Sequence, residues 1–160
     1  MTSSVPILDP AAVDLEHVLV GRDGIREWVP QRFEFEMLDA ILHYDGEKQL
    51  AVASKELGLD EYWVRGHIPG RPLFPGVLLI ESAAQLCCFT FSRLQQERRF
   101  FAFAGVDEVR FRGIVRPGDR ILFMARARKL RRNLGIFDSQ AFVDGKLVYE
   151  GVITGMVLPD

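Results

Sequence analysis

The stretch GHIPGRPLFPGVLLIESAAQ, residues 66–85, sets one histidine, three prolines and one glutamate around the start of an apolar run. Imidazole and carboxyl groups are the usual proton carriers near neutral pH. Glu81 stands five residues past Gly76, among Leu78, Leu79, Ile80, Ala83 and Ala84. A lone carboxylate is costly to charge in such surroundings, so a raised pKa and a polar partner are expected. Gln85 lies one helical turn on along the same face, and Ser82 is adjacent. The plain alternative is a structural carboxylate satisfied by those local hydrogen bonds. A carboxylic acid kept partly protonated near neutrality is also what a general acid requires.

His67, taken alone, reads as a loop anchor as readily as a base, and His17 and His43 lack comparable context and are read as structural. The segment between His67 and Glu81 changes that balance. Pro69, Pro72 and Pro75 fix their own φ and bias each preceding residue away from helix, which makes an ordered loop. Such a loop would hold the imidazole still and deliver Gly76 to a helix N-terminus. Glycine permits close approach of a ligand, and first-turn N–H groups are unpaired donors at the positive end of the dipole. A base, an acid and an oxyanion site beside an apolar helix can remove a proton α to a carbonyl and expel a β-leaving group.

Those groups need elements to hold them. Residues 1–12 are small, polar and proline-bearing, and are expected to form a loose lead-in. AAVDLEHVL suggests a short helix capped at Asp14, and Phe33, Phe35 and Met37 alternate with the period of a strand. A turn at 45–48 leads into a second strand, QLAVASKEL. After Gly76 the chain lacks proline and glycine and is rich in Leu, Ala and Gln, which predicts a long helix over about 76–98. Its first half is apolar nearly all round, as in a helix wrapped by the rest of the protein, and RLQQERR marks where it emerges. Only strand signals follow, punctuated by Pro117-Gly118-Asp119 and by an Asp144-Gly145 hairpin turn. The fold class is therefore α+β, one antiparallel sheet curled around one helix in a single domain, 1–160.

The 160-residue chain is 48% hydrophobic and 26% charged, the balance of a globular protein that buries its own core. Cys87 and Cys88 are neighbours and cannot staple a fold, so they are read as reduced thiols in a reducing compartment. No signal peptide is seen at the N-terminus, and no apolar stretch is read as long enough to span a bilayer, which makes the cytoplasm the default. The net charge of −2 is uneven: residues 91–160 hold 13 Lys/Arg against 8 Asp/Glu. That excess is nearly all arginine and can attract an acidic partner, or can be a solvated strand face. A pI near 5.9 and the lack of a binding motif exclude nucleic acid as the expected partner.

The quoted stretch closely resembles the active-site segment of the 3-hydroxyacyl-acyl-carrier-protein dehydratases, hot-dog-fold enzymes of FabZ/FabA type. VDEVRFRGIVRPGDRI resembles the family's strand and turn after the helix, and FVDGKLVYEG its closing hairpin. Glutamate rather than aspartate at 81 points to the FabZ-type branch. The resemblance implies that His67 is the catalytic histidine and Glu81 the catalytic carboxylate. It also implies Gly76 N–H as the thioester-carbonyl donor with Val77 beside it, and Gln85 as support for the carboxylate. In this family two protomers build each site, His67 from one and Glu81 from the other, in a dimer or a trimer of dimers. PQRFEFEMLD departs from the family's Pro-His-Arg-Tyr-Pro-Phe-Leu-Leu-Val-Asp at Gln31 and Glu34, and Ile68 replaces a usual phenylalanine.

The expected reaction is dehydration of a (3R)-hydroxyacyl thioester, linked to acyl carrier protein or coenzyme A, to the trans-2-enoyl thioester. No metal or organic cofactor is expected, because the thioester already acidifies C2. Phe89, Phe91, Phe101 and Phe103 are candidates for an acyl tunnel, and Arg93, Arg98, Arg99, Arg110 and Arg112 for docking an acidic carrier protein. Two rival readings are a hot-dog thioesterase, in which Glu81 activates water and free thiol is released, and a non-catalytic acyl-binding protein.

Overall fold

Continuous buried runs build the middle of the sheet and demand a cover on both of its faces. The computed structural model describes residues 4–159. Along β5 (Arg120–Arg131), Ile121, Phe123 and Ala125 join one buried cluster while Leu122 and Met124 join another. On β3 (Leu50–Glu56), Ala51 and Ala53 divide from Leu50 and Val52 in the same way. Successive side chains of a strand point to opposite faces, so the two clusters are the two faces of one sheet.

The remaining strands are β1 (Val20–Gly21), β2 (Ala40–Asp45), β4 (Phe101–Phe111), β6 (Leu134–Val143) and β7 (Lys146–Val157). Together they make a seven-stranded antiparallel sheet in the order β1-β2-β3-β5-β6-β7-β4. The β6–β7 turn is the expected hairpin, with Asp144 and Gly145 both at positive φ (48° and 73°), as a tight two-residue turn requires. Gly118, φ 97°, makes the tight turn before β5.

The inner face wraps α2 (Gly76–Gln95), whose Leu79, Ala83, Leu86, Cys87, Phe89 and Phe91 are buried in the larger cluster. The helix stops three residues before the expected end, because Gln96 adopts the left-handed conformation (φ 56°) and its N–H returns to Arg93 O. With 20 residues and a mean hydropathy of 1.4, α2 is long and apolar enough to cross a membrane, contrary to the sequence expectation that no segment would be. The sheet encloses it: 61% of that apolar window is buried inside the fold.

The outer face is covered by the segment expected to be loose. Ile7 N–H donates to Gln140 Oε1 (2.8 Å), Gln140 Nε2 donates to Val5 O (3.1 Å), and Ile7, Leu8 and Val13 pack on the outer cluster. Residues 1–3 lie outside the described part of the chain. The same docking displaces the helix expected over 11–19. A single 3-10 turn, Pro10–Ala12, is capped by Asp9, and Asp14 Oδ1 instead accepts from Glu16 N–H in a local turn. The short α1 (Arg22–Arg26) and the two-residue β1 carry too few residues for a periodic signal.

Candidate active site

Residues 57–75 run from β3 to α2 and carry His67. The loop is pinned at both ends, where Leu57 N–H donates to Asp119 O (3.0 Å) and Phe74 N–H to Val115 O (2.8 Å), and within it His67 N–H donates to Trp63 O (2.8 Å). Trp63 and Phe74 meet edge to face, with centroids 5.3 Å apart. Ile68, directly after the histidine, is left-handed at φ 57°. A β-branched residue is strained there by about 1–3 kcal/mol, so the surrounding loop must over-determine the conformation. His67 Nδ1 lies 2.9 Å from Leu73 O. A carbonyl only accepts, so Nδ1 carries the hydrogen and the Nε2 lone pair is left for a base. The half-buried imidazole thus has its tautomer and its direction set by one backbone oxygen.

Pro75 brings the chain to Gly76, where α2 begins without a side-chain cap. Leu78 N–H turns back to Pro75 O (2.9 Å), so the outermost donors are those of Gly76 and of the exposed Val77. The Phe111 ring lies over Gly76; an added Cβ would stand 3.1 Å from it. Glycine here keeps the helix end open to an approaching atom.

Glu81 follows at five residues, about 7–8 Å along the axis. Its partner is the expected one, with Gln85 Nε2 donating to Glu81 Oε1 at 2.8 Å. The same Nε2 donates to Phe35 O (2.7 Å), and Gln85 Oε1 accepts from Met37 N–H (3.1 Å). One buried amide therefore ties the carboxyl group to the 35–37 segment. These bonds also explain why Phe33–Phe35 form a 3-10 turn rather than the expected strand: the backbone groups a ladder would use are bound to the helix. Replacing Gln85 by leucine leaves a buried carbonyl and N–H unpaired. The expected loss is about 2–4 kcal/mol, seen as a fall in Tm of roughly 5–15 °C in calorimetry. An unchanged Tm would mean that the amide holds nothing.

Glu81, Ala84, Gln85 and Cys88 on α2 face Gln31 and, on the sheet, Phe101, Phe103, Ile153 and Gly155 across a crevice of about 40 Å³. Of the four candidate tunnel phenylalanines, Phe101 and Phe103 line it. Phe89 and Phe91 are closed into the core, where Phe91 stacks on Phe101 at 4.2 Å. His67 does not line this crevice. Burial pushes the Cys88 thiol up to about 12 and the Cys87 thiol well above its ordinary range, so both are inert fillers. Among the described residues no group of three His, Cys, Asp or Glu side chains could hold a metal ion.

The candidate docking arginines divide between the two ends of α2. At the C-terminal end, Arg93 lies over the rings of Trp28, Tyr44 and Phe89 at 5.2–5.9 Å, Arg98 pairs with Glu27 (3.0 Å), and Arg99 binds Arg132 O and Asn133 Oδ1. Arg110 and Arg112 flank Phe111 at the Gly76 end, where Arg110 Nη1 meets Val109 O and Arg112 pairs with Glu150. The site residue without a role in the sequence reading is Gln31. It stands out there only as a departure from a family pattern, yet the fold sets it against Glu81 and Gln85.

A family model described as a FabA-like domain matches residues 29–152. The chain is 37% identical over 145 residues to a 3-hydroxyacyl-[acyl-carrier-protein] dehydratase FabZ of Neisseria meningitidis serogroup C, covering 88% of this chain and 95% of that protein. A FabZ of Escherichia coli O9:H4 is 37% identical over 134 residues, covering 82% and 88%. In fold, the chain is similar to the dehydratase heterocomplex ApeI:P of Xenorhabdus doucetiae, with TM-score 0.73, 12% identity and coverage of 85% and 91%. It is also similar to a hypothetical thioesterase from Streptococcus pneumoniae, with TM-score 0.59, 11% identity and coverage of 75% and 85%.

Proposed function

The chain belongs to the FabA-like family, beside dehydratases of FabZ type, and from that premise we propose that it converts (3R)-hydroxyacyl thioesters of acyl carrier protein to trans-2-enoyl thioesters in fatty acid synthesis. The observation that carries this reading is the Glu81 carboxyl group, held by Gln85 through one oxygen at the wall of a crevice that Phe101, Phe103 and Ile153 line on the sheet. His67 Nε2 takes the C2 proton while Gly76 N–H, with Val77 N–H beside it, receives the charge that develops on the thioester oxygen. The C2–H and C3–O bonds break, C2=C3 forms, and Glu81 protonates the departing hydroxyl to water. The acyl chain lies against Phe101 and Phe103.

We place His67 and Glu81 of one site on different protomers of a homodimer. Glu81 lines a crevice whose wall does not include its own His67, and β4 is an edge strand of eleven residues with Phe103 and Phe111 about half exposed. Long apolar edges need covering. We assign carrier docking to Arg110 and Arg112, since they flank Phe111, which lies over Gly76, the proposed thioester donor. The two buried, reduced thiols favour the cytoplasm as the compartment.

A 3-hydroxyacyl thioester incubated with the protein should gain enoyl absorbance without release of thiol. Free thiol with no enoyl product would assign Glu81 to water activation and the protein to thioester hydrolysis instead.

A further inference from the structure

The crevice does not end at Glu81. Gln31 and Gln85, which line it, also line a second cavity of about 10 Å³, room for one water, together with Arg22, Arg26 and Glu36 and the apolar Ile25, Val29 and Leu38. Arg22 and Glu36 in turn line an open depression of about 540 Å³ on the surface, with Lys55 and Glu61. Neighbouring spaces thus share polar lining residues, Gln31 and Gln85 between the first two and Arg22 and Glu36 between the last two. Gln31 Oε1 is buried and has no hydrogen-bond partner among the described residues. A buried carbonyl acceptor of that kind asks for a water. The outer wall keeps its charge: Arg26 binds both oxygens of Glu36 (2.7 and 2.9 Å), and this hydrogen bonding holds the Glu36 carboxyl below its usual range.

We infer that Gln31 and the cavity behind it form a water subsite through which the water made at C3 leaves toward the Arg22–Glu36 surface. The inference rests on the dehydratase reading. An acyl chain against Ala84, Phe101, Phe103 and Ile153 closes the apolar side of the crevice, so water formed at Glu81 departs on the polar side, past the amide of Gln31. Glu81 has given its proton to the leaving hydroxyl and takes one back along the same line of water, while His67 returns the C2 proton to solvent. The net change is substrate to enoyl thioester plus one water.

The test follows 3-hydroxybutyryl-coenzyme A, labelled with ¹⁸O at the hydroxyl, in D₂O with the full chain. Loss of ¹⁸O and gain of deuterium at C2 are read by mass spectrometry in the re-isolated substrate. A trapped water re-adds before it escapes, so Gln31→Leu should lower ¹⁸O loss relative to deuterium gain by about threefold or more. Gln31→Asn, which keeps the carbonyl, should stay within about twofold of wild type. Should Gln31→Leu fail to fold, Gln31→Met carries the same test at equal side-chain length. A wild-type isotope ratio in the apolar variant, or an equal fall in Gln31→Asn, overturns the water route alone. A wild-type protein that forms no enoyl product overturns the dehydratase reading beneath it.

Discussion

Glu81→Gln and His67→Ala are each expected to lower kcat for dehydration by about 10²–10⁴, with far-UV circular dichroism unchanged. The two losses have different causes. Glutamine at 81 keeps the shape and can still meet Gln85, but it has no proton to give to the departing hydroxyl. Alanine at 67 removes the Nε2 lone pair that the Nδ1–H bond to Leu73 O leaves free. Neither side chain belongs to the buried core, so a large change in stability is not expected. The effect should fall on kcat rather than KM, because the proposed mechanism sets both groups on the reacting bonds and not on the acyl chain. Either variant retaining more than a tenth of wild-type kcat would remove that residue from the chemistry.

Mixing the two inactive proteins should restore activity. If each site takes His67 from one chain and Glu81 from its partner, a mixed dimer of His67→Ala and Glu81→Gln chains holds one doubly damaged site and one intact site. Random exchange makes half of the dimers mixed, so about a quarter of wild-type activity should return. That is a rise of about 25-fold or more over either parent. The expectation follows from the crevice at Glu81, which its own chain lines with Gln31, Phe101 and Phe103 but not with His67. Mixed samples that exchange subunits yet stay as inactive as their parents would place both groups of a site on one chain.

The segment 66–85 could be read ahead of the structure because its signals are local. Prolines constrain their own backbone and that of their neighbours, and the helix that begins at Gly76 follows from propensity and the absence of breakers. The Glu81–Gln85 bond is likewise a consequence of helical spacing. The β6–β7 hairpin follows from two residues that tolerate positive φ. The segments that departed from expectation are those whose partners are distant in the chain. Phe33 and Phe35 alternate like a strand, but Gln85, 50 residues away from Phe35, takes the carbonyl. Residues 5–12 look loose until Gln140, 133 residues beyond Ile7, is placed beneath them.

What the sequence by itself determined, then, is the histidine loop, the helix that carries the carboxyl group, and the family to which both point. Only the tertiary structure decided which phenylalanines face the crevice, which arginines stand near the Gly76 end of α2, and that Gln31 borders Glu81. Local conformational preference is written residue by residue. Wall, edge and cavity exist only after strands far apart in sequence have paired, and no periodicity within a short window reports on that.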